Sequence, residues 1–135
     1  MSCPSDGLRL YIPGTPVTKK NSMQIVMAGG HPRIVPSRKY KEYEQMALRA
    51  IGGQLTPVVP ISRPVNMRCI YKMPTRRRVD LVNLIEATCD VLVRAGVILD
   101  DHSGIVAGHD GSRVEYDKEN PGTEILISEM EEGNA

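Results

Sequence analysis

The sequence predicts an α+β domain, a small mixed β-sheet with two main α-helices packed on it. Three observations lead there. Two segments place apolar residues at the three-and-four spacing of a helix, several others alternate or run apolar over the length of a strand, and 135 residues leave room for one core and no second substantial unit. A single domain is expected over residues 1–135, with a frayed acidic tail at 131–135.

Each element has its own local reason. Leu8 to Ile12 (LRLYI) alternates and is closed by Pro13-Gly14, the pattern of a first strand. Gln24 to Met27 and Arg33 to Val35 flank Ala28-Gly29-Gly30-His31, whose glycines supply the positive φ angles of a hairpin turn. Ser37 can cap a first helix whose stripe is Tyr40, Tyr43, Met46, Ala47, Ala50 and Ile51, ending at Gly52-Gly53. Gln54 to Pro64 carries three prolines and reads as a surface connection. Val65 to Met73 (VNMRCIYKM) is a strand stopped by Pro74.

A second helix follows Asp80. Leu81, Leu84, Ile85, Thr88, Val91, Leu92 and Ala95 form its core stripe, while Asn83, Glu86, Asp90 and Arg94 share the other side, and Gly96 ends it. Short apolar runs at Val97 to Leu99 and Ile105 to Ala107 and a final strand at Thr123 to Glu129 complete the reading.

A formal net charge of +1 conceals a strong asymmetry. Up to Arg78 there are 14 lysines and arginines against three acids, a net +11; from Val79 onward there are three against 13, a net −10. Such a split suits a basic surface for a polyanion and a separate set of carboxylates for a divalent cation, or two surfaces that neutralise each other in the fold. Three widely spaced cysteines with no C-x-x-C pairing indicate neither a disulfide framework nor a zinc site, and fit the reduced thiols of a cytoplasmic protein. The N-terminus has no signal-peptide core, and no run approaches the ~20 apolar residues of a membrane span.

The acids can be brought together on length alone. A helix from Val82 to Ala95 advances ~1.5 Å per residue, roughly 20 Å, and the extended return from Gly96 to Asp101 covers about as much at ~3.3 Å per residue. Asp100 and Asp101 are thus expected near the level of Asp80, beside Arg76, Arg77 and Arg78. Carboxylates for Mg²⁺ or Mn²⁺ and arginines for a phosphate backbone are what phosphodiester cleavage requires. Each feature also has a plain structural explanation: Asp80 as a helix cap, Asp100 to Gly104 as a polar turn, the arginines as a solvated loop, and Asn83 and Glu86 as an exposed helix face. His31, His102 and His109 lack metal-ligand spacing, and only His102 adjoins the acids.

Met73 to Asp101 (MPTRRRVDLVNLIEATCDVLVRAGVILDD), together with PVTKKNSM at 16–23 and VPSRKYKEYE at 35–44, resembles the RusA family of Holliday junction resolvases. The resemblance implies a homodimeric, Mg²⁺-dependent endonuclease, with Mn²⁺ a possible substitute, that nicks two strands of a four-way DNA junction symmetrically. By position it assigns Asp80 and Asp101 as catalytic metal ligands with Asp100 as a helper, and Arg76, Arg77, Arg78, Lys19, Lys20 and Asn83 to the DNA. Two positions depart from the family pattern: Val82 stands where a second aspartate is usual, and Glu86 where a lysine is usual. Glu86 is expected to restore the lost carboxylate from about one turn further along. An active nuclease, a branched-DNA-binding protein that cleaves weakly or not at all, and a self-neutralised partner-binding domain are the three functional classes these residues leave open.

Overall fold

The computed structural model describes residues 7–18, 23–55 and 60–130, so Lys19, Lys20 and the tail at 131–135 lie outside the described residues. The elements run β1 (Leu8–Pro13), β2 (Met23–Ala28), β3 (His31–Pro36), α1 (Arg38–Gln54), β4 (Val65–Met73), α2 (Leu81–Arg94), β5 (Val106–Gly108), β6 (Arg113–Tyr116) and β7 (Gly122–Glu129). The expected α+β class holds: two helices accompany a mixed sheet, and β2 and β3 make a separate hairpin. Among the described residues no helix is long and apolar enough to cross a membrane.

The main sheet is organised around β4. One edge of β4 carries β7, antiparallel, and β7 carries β1, also antiparallel. The other edge is shared end to end by two short parallel strands, β5 at Val65 and Asn66 and β6 from Ile70 to Met73. Between them the ladder is completed by side chains. Ser112 Oγ accepts from the Cys69 N–H at 2.9 Å and donates to the Met67 carbonyl at 3.3 Å, and Asn66 exchanges two hydrogen bonds with the backbone of Asp110, at 2.8 and 3.2 Å. Buried or half-buried backbone groups at a gap in the pairing would otherwise lack partners.

Alternation along the strands decides which side receives the helices. Val65, Met67, Cys69 and Tyr71 of β4 meet Ile125 and Ile127 of β7 and Leu10 and Ile12 of β1 on the core face, under Tyr43, Ala47 and Ile51 of α1 and Leu84, Val91 and Leu92 of α2. Ile12, Met67 and Ile127 are wholly shielded, and burial of each such side chain stabilises the fold by about 2 kcal/mol. Of the expected stripes, Tyr40, Tyr43, Ala47 and Ile51 of α1 and Leu84, Thr88, Val91 and Leu92 of α2 are buried and the rest half-buried, while Ala87 and Cys89 are buried as well.

Two details differ from the sequence expectation. First, α1 continues through Gly52 and Gly53 to Gln54. Its last turn is held from outside: Gln54 Nε2 donates to the Ala50 carbonyl at 2.7 Å and the Tyr11 carbonyl at 2.6 Å, while Oε1 accepts from the Tyr11 N–H at 2.7 Å. The amide thereby stands in for a further strand on the exposed edge of β1. Second, β6 was not expected: RVEY is only four residues long, and its apolar pair, Val114 and Tyr116, stays exposed. In keeping with a short apolar run, Val97 and Ile98 are buried, and Ile98 makes an isolated parallel bridge to Ile61.

Replacing Gln54 by Ala removes three hydrogen bonds and uncovers the β1 edge. Gln54→Ala should lower the unfolding free energy by about 1 kcal/mol or more, read as a fall in the urea midpoint at unchanged m-value, and should increase aggregation at high protein concentration.

Candidate functional site

β4 ends where Pro74 removes a backbone donor, and Asp117 N–H closes the strand end by donating to the Met73 carbonyl at 2.8 Å. The chain then crosses to α2 through Thr75 to Val79. Arg76, Arg77 and Arg78 are exposed in this crossing, and among the described residues none of the three enters an ion pair. Arg76 is positioned by a ring: its guanidinium carbon lies 4.3 Å from the ring centroid of Tyr116 on β6. Elsewhere the two charge classes do neutralise each other, as in Arg63 with Glu129 and Lys72 with Glu124. The arginine crossing is exempt from that pairing.

Asp80 is the N-cap of α2. Its Oδ1 accepts from the N–H groups of Val82 at 3.0 Å and Asn83 at 3.3 Å, which satisfies two of the amides a helix start leaves free. Capping and ligation are compatible for a carboxylate with two oxygens, since Oδ1 alone makes both bonds. Val82, one residue into the helix, is 71% exposed, so nothing in the packing requires an apolar side chain there. Glu86 is exposed a turn further on, and Asn83 is half-buried between them.

The return from α2 brings Asp100 and Asp101 back against that helix. Both line a cleft of about 220 Å³ with Asp90, Val93 and Arg94, from the later turns of α2, and Asp80 is not part of that lining. Asp100 Oδ1 accepts from the Asp101 N–H at 2.7 Å. Arg94 leans across to α1, where its Nη1 donates to Glu44 Oε1 at 2.9 Å. His102 closes the following turn, accepting the Gly104 N–H on Nδ1 at 3.1 Å and, through its carbonyl, the N–H groups of Ile105 and Val106.

Cys89 reports where the acids gather. Its thiol is pushed up to about 12, first by burial, then by the neighbouring Cys69 and the negative charges of Asp101, Asp90 and Glu86. Asp101 therefore acts on the same middle turns of α2 as Glu86 and Asp90. Asp90 and Arg94 were expected on the exposed side of α2, and their i, i+4 spacing was the signal that could have placed them at one site.

Among the described residues no three His, Cys, Asp or Glu side chains stand close enough to hold a metal ion between them. The donor chemistry nevertheless suits Mg²⁺, which binds through one or two carboxylates together with waters and substrate phosphates rather than in an all-protein cage. Asp100 and Asp101, adjacent and exposed on one cleft, meet that requirement.

A sequence profile of the family described as Endodeoxyribonuclease RusA matches residues 13–128. The chain belongs to the RusA family. Over 65 residues it is 38% identical to the crossover junction endodeoxyribonuclease rusA of Enterobacteria phage 82, a match that covers 48% of this chain and 53% of that protein. The chain thus spans about half the length of this relative. In the RusA frame the whole crossing and acid cleft, residues 76–101, fall within the matched region.

Two outcomes follow from this geometry. Asp80→Ala removes the cap and should cost about 1 kcal/mol of stability, whereas Asp80→Asn keeps a capping oxygen and should cost a few tenths at most, both read by urea denaturation. Cys69 and Cys89, the first pushed up to about 11 chiefly by burial, should resist iodoacetamide at pH 8 until urea is added. From the ordinary thiol value of 9.0 up to about 12 the unfolded chain loses protons that the folded chain keeps, so stability should fall as pH rises through that window. A urea midpoint that rises between pH 8 and pH 10 would contradict this.

Proposed function

We propose that this RusA-family chain is a metal-dependent endodeoxyribonuclease that resolves four-way DNA junctions in the cytoplasm, acting as a homodimer that nicks two strands symmetrically. The observation that carries the reading is the pairing of an unneutralised arginine crossing with an acid-lined cleft on the same helix. Arg76 to Arg78 would hold the phosphate backbone by charge-assisted hydrogen bonds, Arg76 with its guanidinium plane already oriented by Tyr116. Asn83, beside the cap, and Lys19 and Lys20 would add contacts to the same strand.

Asp80 and Asp101, with Asp100 as a helper, would hold Mg²⁺ or Mn²⁺ together with waters and substrate phosphate, and the ion when bound would acidify water and offset the negative charge that builds on the phosphorus. The chain's own residues do the rest. The N-terminus of α2, with Asp80 fixed across its first amides, sets the angle at which the strand meets the cleft. Glu86 adds negative charge to the cleft side of α2 and takes the role of the missing second aspartate at Val82. A two-fold dimer suits the substrate because a four-way junction offers two equivalent strands related by a two-fold axis.

A second reading is favoured by one specific observation. Val82 is 71% exposed where the family pattern has an acid, and Glu86 is acidic where it has a lysine, so a protein that binds junctions and cleaves them weakly fits the same fold.

The deciding measurement is nicking of a labelled four-way junction in Mg²⁺ or Mn²⁺. Wild type should make paired nicks, and Asp80→Asn, which keeps the helix cap, should lower the rate by about 100-fold or more, the scale on which loss of one charge-stabilising group is felt in a phosphoryl or acyl transition state. Glu86→Gln should slow cleavage if Glu86 replaces the missing ligand; an unchanged rate removes it from the site. Tight junction binding without metal-dependent nicking, relieved by Val82→Asp with Glu86→Lys, would establish the second reading instead.

A further inference from the structure

The β2–β3 hairpin is a two-stranded sheet of its own, apart from the main sheet. Ile25 pairs with Ile34 and Met27 with Pro32, so these four side chains share one face, while Val26 with Arg33 and Ala28 with His31 share the other. The two faces are treated differently. Val26 and Val35 are half-buried, whereas Ile25, Met27 and Ile34 are 71%, 69% and 69% exposed. The turn is open to its surroundings: Gly29 and Gly30 have φ of 61° and 81°, as a two-residue turn between twisted strands needs, and no atom lies within 4 Å of where a Cβ on either would sit.

An isolated two-stranded hairpin is marginally stable in water, and a contiguous apolar face left exposed marks a surface for a partner. Charge identifies the partner. From Gly7 to Lys41 the chain carries seven lysines and arginines and no acid. On the hairpin the charged side chain is Arg33, on the face opposite Ile25 and Ile34, and Lys39 and Lys41 follow at the start of α1, exposed, so a polyanion that reaches the apolar face also meets cations around it. DNA combines phosphates for the cations with apolar base faces for the isoleucines and methionine, and it exposes those faces where stacking is interrupted, at a branch. A two-stranded ribbon is narrow enough for a DNA groove, and Ile, Met and Pro are side chains that wedge between base steps.

We propose that the β2–β3 hairpin is an unstacking wedge that seats Ile25, Met27 and Ile34 against bases at the branch point of a DNA junction. The proposal rests on the reading of the chain as a branched-DNA nuclease and assigns the element that tells a branch from continuous duplex.

The test uses the full chain and a four-way junction with 2-aminopurine beside the crossover, whose fluorescence rises when the base unstacks. Wild type should raise the signal, and Ile25→Ser with Ile34→Ser should reduce that rise by about 10-fold, as expected when a wedge no longer offsets the cost of unstacking. Binding of the double variant to plain duplex should be unchanged. Ile25→Val with Ile34→Val, which keeps an apolar face, should restore the signal. An equal rise with the serine variant overturns the wedge, and so does a loss of signal accompanied by dissociation of a dimer into monomers, which would make the face a contact between copies. Unstacking without nicking supports the wedge and overturns the nuclease reading; no binding to any branched DNA overturns both.

Discussion

A single buried hydrogen bond joins the strand that organises the sheet to the helix that carries the acids. Tyr71 Oη and Thr88 Oγ1 lie 2.7 Å apart in the core, and Thr88 Oγ1 in turn lies 3.0 Å from the Leu84 carbonyl. A threonine hydroxyl has one proton, which the Leu84 carbonyl takes, so Tyr71 is the donor to Thr88. Burial keeps the phenol protonated, well above its ordinary range, and so keeps the donor in place at any pH at which the protein is folded. The bond sets α2 at one rotation and one height over β4. Slip α2 by a residue and both the pair and the Leu84, Val91 and Leu92 stripe are lost together.

That fixed pose determines what the crossing between β4 and α2 can do. Its two ends are anchored, at Met73 by Asp117 and at Asp80 by the helix amides, so the arginines project from a loop whose ends cannot wander. β6 belongs to the same arrangement. Its pairing with Ile70 to Met73 brings Tyr116 beneath Arg76, and the gap it leaves along β4 is filled by Ser112 and Asn66. A strand of four residues with no buried side chain is thus kept by its neighbours, and it supplies the ring on which the Arg76 guanidinium rests.

The sequence made most of this legible because period and punctuation agreed. Alternation in LRLYI, the glycine pair of the hairpin, the stripe of α2 and the Pro74 stop all point the same way as the packing. β6 was not legible, since its reason to exist is the free edge of β4 rather than any pattern of its own. The end of α1 was misplaced for a similar reason: two glycines signal a stop, and the bonds from Gln54 to Ala50 and Tyr11 override it. At the site, residue identities were readable and their meeting was only partly so. The extended return through Val97 and Ile98, bridged to Ile61, brings Asp100 and Asp101 back to α2, where they share a cleft with Asp90 and Arg94.

Electrostatics sharpens what this site demands of a ligand. Glu86, Asp90 and Asp101 all act on Cys89, and Asp100 lines the same cleft as Asp90 and Asp101. The cation lining that cleft, Arg94, already pairs with Glu44. A phosphate brought in by Arg76 to Arg78 would therefore meet several carboxylates with little local positive charge to offset them. Substituting lysine by Glu86 deepens that excess, and Val82 removes one carboxylate without adding a positive group. The net effect of the two departures is to shift the burden of neutralisation from a protein side chain to whatever cation the acids recruit. On the proposed nuclease reading, a site of this composition would have greater need of a divalent ion than one with a lysine in the second turn of α2, and the phosphate would itself be a ligand that such an ion could share with the protein.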